Sequence, residues 1–194
     1  MPLLKFSKDI STLICDHSCL MNVFIVKGDD EVPFLSGSSK EDLENVYSRY
    51  GSMLFKLCFV ILSNTVDAED ALQDTFLRYI NKRPVFNEPE HEKAWFIKVA
   101  SNVCKDMRRF KLRHNTLDIN ELSDYCSGEA QEHVLEQLLT LPPKYKIVIH
   151  LYYIEGYDVE EIAGIIGLSR SAVKMRLLRG RKLLKVELEE EKQP

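Results

Sequence analysis

No apolar run in this 194-residue chain approaches the ~18 or more residues of a membrane span; the longest, Leu57 to Leu62, is far too short, and no membrane insertion is expected. The first twenty residues carry Asp9 and Asp16 among the apolar ones and lack a clean apolar core before a small-residue site, so no secretory signal is expected. Cys15, Cys19, Cys58, Cys104 and Cys126 form an odd set that does not pair off, which predicts free thiols in a reducing cytoplasm. The Asp, Glu, His and Cys side chains assemble into no nucleophile elbow, phosphate loop or metal signature, and catalysis is not expected. Cys15-x-His17-x-Cys19 is dense, yet its spacing fits no common zinc framework and a fourth ligand is missing, so the expectation is no metal and no other cofactor. No segment reads as strand and no internal repeat is present, leaving an all-α chain.

Charge of one sign is missing from two stretches. From Arg170 to Lys185 there are seven Lys or Arg and no acid, although the whole chain has a formal net charge of -4. From Asn115 to Gln137 the reverse holds: Asp118, Glu121, Asp124, Glu129, Glu132 and Glu136 stand without any Lys or Arg. A basic helix that lacks acids is the electrostatic footprint of a nucleic-acid reader, and an acidic stretch is repelled by phosphate and reads as a tether.

The basic stretch follows a helix-turn-helix pattern. Asp158 with Glu161 three residues later makes a capping box for the first helix, and Ser169 caps the second. Ala163 is small enough for a close helix crossing, Gly167 gives the turn a permissive backbone, and Ile162, Ile166, Leu168 and Val173 fill the wedge. On the second helix Val173, Leu177, Gly180 and Leu184 share the inward stripe, while Ser171, Met175, Leu178 and Lys182 point the other way. Major-groove insertion follows from that pattern: Arg170, Ser171 and Lys174 lie at the end that reaches base edges, and Ser169, Met175, Arg176 and Arg179 complete the DNA-binding set, the two arginines on one flank. A solvated cationic helix is the bland alternative.

Upstream, residues 1–37 show no sustained period and end in Ser36-Gly37-Ser38-Ser39, an unassigned appendage. A helix is expected to start near Ser38, burying Leu43, Val46, Tyr47, Tyr50, Leu54, Leu57 and Ile61; a second spans about 67–81 with Ala68, Leu72, Phe76 and Tyr79 inward. Pro84 and Pro89 bracket a loop. A third helix, 92–114, buries Phe96, Val99, Ala100, Val103 and Met107 and presents Trp95, Lys98, Asn102, Lys105 and Arg109 at spacings of three and four; Asp106 is expected to pair with Arg109 or Lys98. Seven basic residues against two acids between Glu92 and Arg113 make this a second cationic island. After the tether, a helix around 131–140 leads to Leu141-Pro142-Pro143, and the next helix buries Tyr145, Val148, Ile149 and Tyr152 before breaking at Glu155-Gly156-Tyr157. The architecture expected is two small helical domains joined by an acidic linker, bounded at 38–114, 115–130 and 131–188, with a tail at 189–194.

Three motifs stand in order: Asp67-Ala68-Glu69-Asp70-Ala71-Leu72-Gln73-Asp74-Thr75-Phe76, then Ala94-Trp95-Phe96-Ile97-Lys98-Val99-Ala100-Ser101-Asn102, then Leu141-Pro142-Pro143-Lys144-Tyr145 through Glu160-Glu161-Ile162-Ala163 to Arg179. In these the chain resembles the extracytoplasmic-function (ECF) sigma factors, the smallest initiation factors of bacterial RNA polymerase. The resemblance covers about residues 40–114 and 131–186. It implies an adaptor that binds core RNA polymerase and promoter DNA and is commonly held inactive by an anti-sigma factor. By the same resemblance Asp67, Glu69, Asp70, Gln73 and Phe76 match the polymerase-binding surface; the alternative for the three acids is stabilisation of a helix N-terminus. Phe86, Asn87, Trp95, Lys98, Asn102, Lys105 and Arg109 match the element that melts and reads the minus-10 strand, and the C-terminal helix matches the minus-35 reader. Trp95 has two readings, a ring stacked on bases or a core residue. Gly180 stands where the family usually has Ala, at a helix-interior cost of ~1 kcal/mol, and Met175 replaces the commoner Ser. A second overall reading is a stand-alone helix-turn-helix regulator, with residues 40–114 serving dimerisation or sensing.

Overall fold

A computed structural model describes residues 40–114 and 138–190; the expectations for residues 1–37, for Cys15, His17 and Cys19, for a start at Ser38 and for the acidic linker lie outside them. Helix α1 spans Lys40–Leu62, α2 Thr65–Lys82, α3 Pro89–His114, α4 Pro143–Ile149, α5 Val159–Ile166 and α6 Arg170–Glu190. No strand occurs among the described residues, in keeping with the all-α expectation. The chain divides into two compact units, one ending at Ser52 and one beginning at Met53, so α1 runs through the boundary and everything below concerns the second unit.

Short local signals set the joints. Ser63, at φ 56, ends α1 with its N–H donating to the Phe59 carbonyl at 2.7 Å, and Asn64 Oδ1 accepts from the Asp67 N–H at 2.8 Å to start α2. Capping of that kind satisfies amides the first turn cannot. Helix α2 then buries Ala68, Ala71, Leu72, Thr75 and Phe76 and packs on α3, where Phe76 and Phe96 rings lie 5.3 Å apart. Val99 and Met107 are only half-buried on α3, while Ile97, Ser101 and Cys104 join Phe96, Ala100 and Val103 inside. Buried Cys58 on α1 and Cys104 on α3 are free thiols; a hydrogen bond between them and burial hold the Cys58 thiol well above its ordinary range.

The C-terminal helices form a second cluster in which α4 and α5 both pack on α6. Helix α4 buries every residue from Tyr145 to Ile149 and continues as a wide π-turn over His150–Ile154, with the Glu155 N–H reaching the His150 carbonyl at 3.1 Å. One expectation is corrected there. The α-helical period places Tyr152 inward, but every residue from Tyr145 to Leu151 is buried whatever its face, and Tyr152 and Tyr153 beyond them are exposed.

Candidate nucleic-acid and polymerase interface

Helix α5 begins at Asp158, whose Oδ1 accepts from the Glu160 and Glu161 amides at 2.7 and 2.8 Å while Glu161 Oε2 accepts from the Asp158 N–H at 2.8 Å. It ends at Gly167, at φ 69, a left-handed conformation that a side chain would strain. Ser169 Oγ then accepts from the Ala172 N–H at 3.2 Å and opens α6. The wedge between α5 and α6 is filled by Ile162, Ala163, Ile165 and Val173; Ile166 and Leu168, expected inside, are half-buried, and Ile165 takes the inner place.

These caps fix the roll of α6. Val173, Leu177 and Gly180 face inward, and Ser171, Lys174, Met175, Leu178, Arg179 and Lys182 are exposed together with Ser169 and Arg170. Among the described residues no ion pair holds Lys174, Arg176, Arg179 or Lys182, whereas Arg170 is paired with Glu160. Gly180 has a packing reason: a Cβ there would meet Ile149 Cδ1 at 2.6 Å and Tyr145 Cβ at 3.3 Å, so the missing methyl lets α4 approach α6.

Helix α3 presents a different surface. Trp95 is half-buried, with its ring at 5.9 Å from Phe86, 6.0 Å from Tyr79 and 5.2 Å from Phe96, all edge-on. It is neither fully core nor free. Edge-on neighbours fix the indole while part of it stays open to a stacking partner. Beside it, Tyr79, Pro84, Phe86, Asn87, Glu88, Pro89 and Glu92 line an open pocket of about 310 Å³. Lys98, Asn102 and Arg109 continue the stripe as exposed residues, and Arg109 pairs with Asp106 at 3.4 Å as expected. Lys105 is half-buried, donates to Asn102 at 3.4 Å and titrates below the ordinary lysine range, first through burial and then through the charges of Arg176 and Arg109.

Of the residues expected on the polymerase surface, Glu69, Asp70 and Gln73 are at least partly exposed on α2. Phe76 is a correction: at 1% exposure it is sealed against Phe96 and has no surface to offer. Asp67 is engaged within the chain, its two oxygens accepting from Lys111 Nζ at 2.7 and 2.6 Å. Sequence reasoning missed Lys111 as its partner, missed Lys146 and His150, and read Glu155 only as part of a helix break. Lys146 is buried and donates to Ser63 Oγ at 2.5 Å; burial, reinforced by Arg108, pushes it down to about 8. His150 is buried with neither ring nitrogen hydrogen-bonded, and burial pushes it down to about 4. A helical lysine amid apolar neighbours carries no sequence signal of being inside.

The model of sigma-70 region 2 matches residues 46–114, and that of sigma-70 region 4 matches residues 131–184. RNA polymerase sigma factor SigV of Bacillus subtilis is 30% identical over 142 residues, covering 71% of this chain and 85% of that protein. The chain belongs to the sigma-70 family. ECF RNA polymerase sigma factor SigW of the same organism is 28% identical over 158 residues, covering 72% of this chain and 84% of that protein. Among solved structures, the sigma factor RpoE of Bartonella quintana in complex with the anti-sigma factor NepR superposes with a TM-score of 0.66 at 22% identity, covering 77% and 98% of the two chains. CnrH in complex with the cytosolic domain of CnrY gives 0.57 at 25%, covering 78% and 90%. The protein is an ECF sigma factor that binds core RNA polymerase and directs it to promoter DNA. No helix among the described residues is long and apolar enough to cross a membrane.

Proposed function

We propose that this sigma factor divides promoter recognition between residues 38–114, which bind core polymerase and open the minus-10 element, and residues 131–188, which read the minus-35 element, with 115–130 as an acidic tether. The observation that carries the minus-35 assignment is the capped turn before α6, which leaves Ser171, Lys174, Met175, Leu178, Arg179 and Lys182 outward on a helix with no acid in its first four turns. Ser169, Arg170, Ser171 and Lys174 reach base edges, Arg176 and Arg179 hold phosphates, and Met175 offers an apolar face such as a thymine methyl would meet.

On the minus-10 side, the pocket at Phe86 and Asn87 takes an extruded base, Trp95 stacks on the adjacent one, and Lys98, Asn102, Lys105 and Arg109 follow the strand. Stacking supplies ~1–3 kcal/mol per base toward the cost of opening. Glu69, Asp70 and Gln73 dock the polymerase; Asp67 supports them through Lys111, and Phe76 holds α2 at the right height. The factor acts in the cytoplasm, has no enzymatic activity of its own and is bound and restrained by an anti-sigma factor; the Bartonella quintana protein was solved in complex with one.

Purified protein mixed with sigma-free core polymerase and a promoter library tests the reading. Specific initiation is expected, together with weak duplex binding by the protein alone. Tight duplex binding without polymerase and no initiation would make it a stand-alone regulator. Trp95→Ala should slow strand opening, followed by permanganate reactivity of unpaired thymines, and leave minus-35 binding intact.

A further inference from the structure

Glu160 and Arg170 meet across the helix-turn-helix. Glu160 stands in the first turn of α5, Arg170 opens α6, and Arg170 Nη2 donates to Glu160 Oε1 over a separation of ten residues. The neighbouring acids are committed elsewhere, since Asp158 and Glu161 close the capping box of α5. Lys174, one turn further along α6, has no ion pair among the described residues, so of these two cations only Arg170 is tied.

Stability is a poor reason for the pair. Its side chains are 66% and 63% exposed, and such a pair contributes little, because water screens it and two long side chains lose freedom to make it. The N-terminal end of α6 is also the positive end of its dipole, where an acid is favoured and a cation is not. What the pair does decide is which donors Arg170 offers to DNA.

A free arginine on a recognition helix swings to whichever phosphate is in reach, and a phosphate carries no sequence information. Glu160 opposes that twice: it holds the guanidinium, and its own negative charge repels phosphate. It takes one donor nitrogen of a fork that carries five N–H groups, and a two-donor edge remains. In the major groove guanine meets such an edge with two acceptors, O6 and N7. Adenine sets an amino group beside its N7, cytosine offers an amino group, and thymine has one acceptor beside a methyl.

We infer that Glu160 is a positioning residue for sequence reading: it aims Arg170 at a guanine of the minus-35 element and keeps it off the phosphates. This rests on the reading of α6 as the minus-35 helix. Holoenzyme assembled from core polymerase and the full chain is challenged with promoters randomised through the minus-35 element over a fixed minus-10 element, and the bound sequences are counted. Wild-type protein favours guanine about ten-fold at one position. Arg170→Lys, which keeps the charge and loses the two-donor edge, removes the preference at that position alone. Glu160→Gln keeps the size of the side chain without its charge and lowers the preference to about three-fold. With Glu160→Ala the released arginine takes a phosphate, so binding to a scrambled minus-35 element tightens and its salt dependence steepens by about one unit of slope. A merely structural loss runs the other way, weakening every sequence alike at a lowered thermal midpoint. That outcome, or a guanine preference untouched by both Glu160 variants, overturns the assignment. Base selection without a guanine at any position sensitive to Arg170 also overturns it and leaves α6 as the reader. No base selection anywhere in the minus-35 element refutes the reading of α6 itself.

Discussion

Helices α3 and α6 look alike as sequence, each a long helix with seven basic residues, yet the fold puts their charges to different uses. On α3, Lys111 is committed to Asp67 and Lys93 to Glu155, Arg109 pairs with Asp106, and Arg108 and Lys105 are half-buried and titrate low because of it. On α6, Lys174, Arg179 and Lys182 stand exposed, and Arg170 is the one with an acidic partner among the described residues. The difference teaches that a basic count marks a nucleic-acid protein without saying which cations touch nucleic acid. On α3 the paired and half-buried cations hold helices together, whereas Lys174, Arg179 and Lys182 on α6 stand in solvent without an acidic partner among the described residues.

Breaking the core behind α3 gives the largest effect. Phe76→Ala empties space against Phe96, and we expect a loss of about 3–5 kcal/mol in urea unfolding. A loss near zero with impaired polymerase binding would restore Phe76 to the surface.

Next comes Lys146. Its side chain titrates at about 8 in the fold against 10.5 when exposed, so the folded state binds fewer protons than the unfolded one between those values. The resulting destabilisation is full below pH 8 and is relieved as pH rises toward 10.5. Lys146→Met should therefore raise stability at pH 7 by on the order of 2–3 kcal/mol, with the advantage fading across that alkaline window. His150 has the opposite range: its fold penalty grows as pH falls from 6.5 to about 4, which predicts early acid unfolding that His150→Leu delays.

The comparison of the two helices is sharpened most directly by salt. Lys174→Ala with Arg176→Ala should flatten the salt dependence of minus-35 binding by about one unit of slope per lost phosphate contact. Lys111→Ala should leave that slope unchanged and lower stability instead. Equal slopes for both variants would mean that the exposure of α6 has no bearing on DNA. The smallest effect is local: Asp158→Ala removes a double cap and should cost ~1 kcal/mol in thermal unfolding.

Much of the fold was legible because the signals are short-range. The Asp158–Glu161 box, the Gly167 turn, the Ser169 cap and the inward stripe through Val173 and Leu177 depend on residues within one or two turns of each other, and all are seen. The helix boundaries shifted by a few residues where Asn64 and Pro89 start helices earlier than the apolar pattern does. Legibility ended where a residue's neighbour comes from another helix. Tyr152 was expected inside, Phe76 was given two roles, and Gly180 read as a cost until the approach of Ile149 and Tyr145 explained it.

By itself the sequence determined the helices, their caps, the order of the three motifs and the charge contrast between basic ends and acidic middle, because each follows from spacing along one chain. Tertiary structure decided which cations are spent on partners, that Trp95 is gripped on its edges, that Lys146 and His150 are buried and that Lys93 meets Glu155. Burial and ion pairing arise from distances between segments far apart in sequence, and those distances are set only when the helices pack.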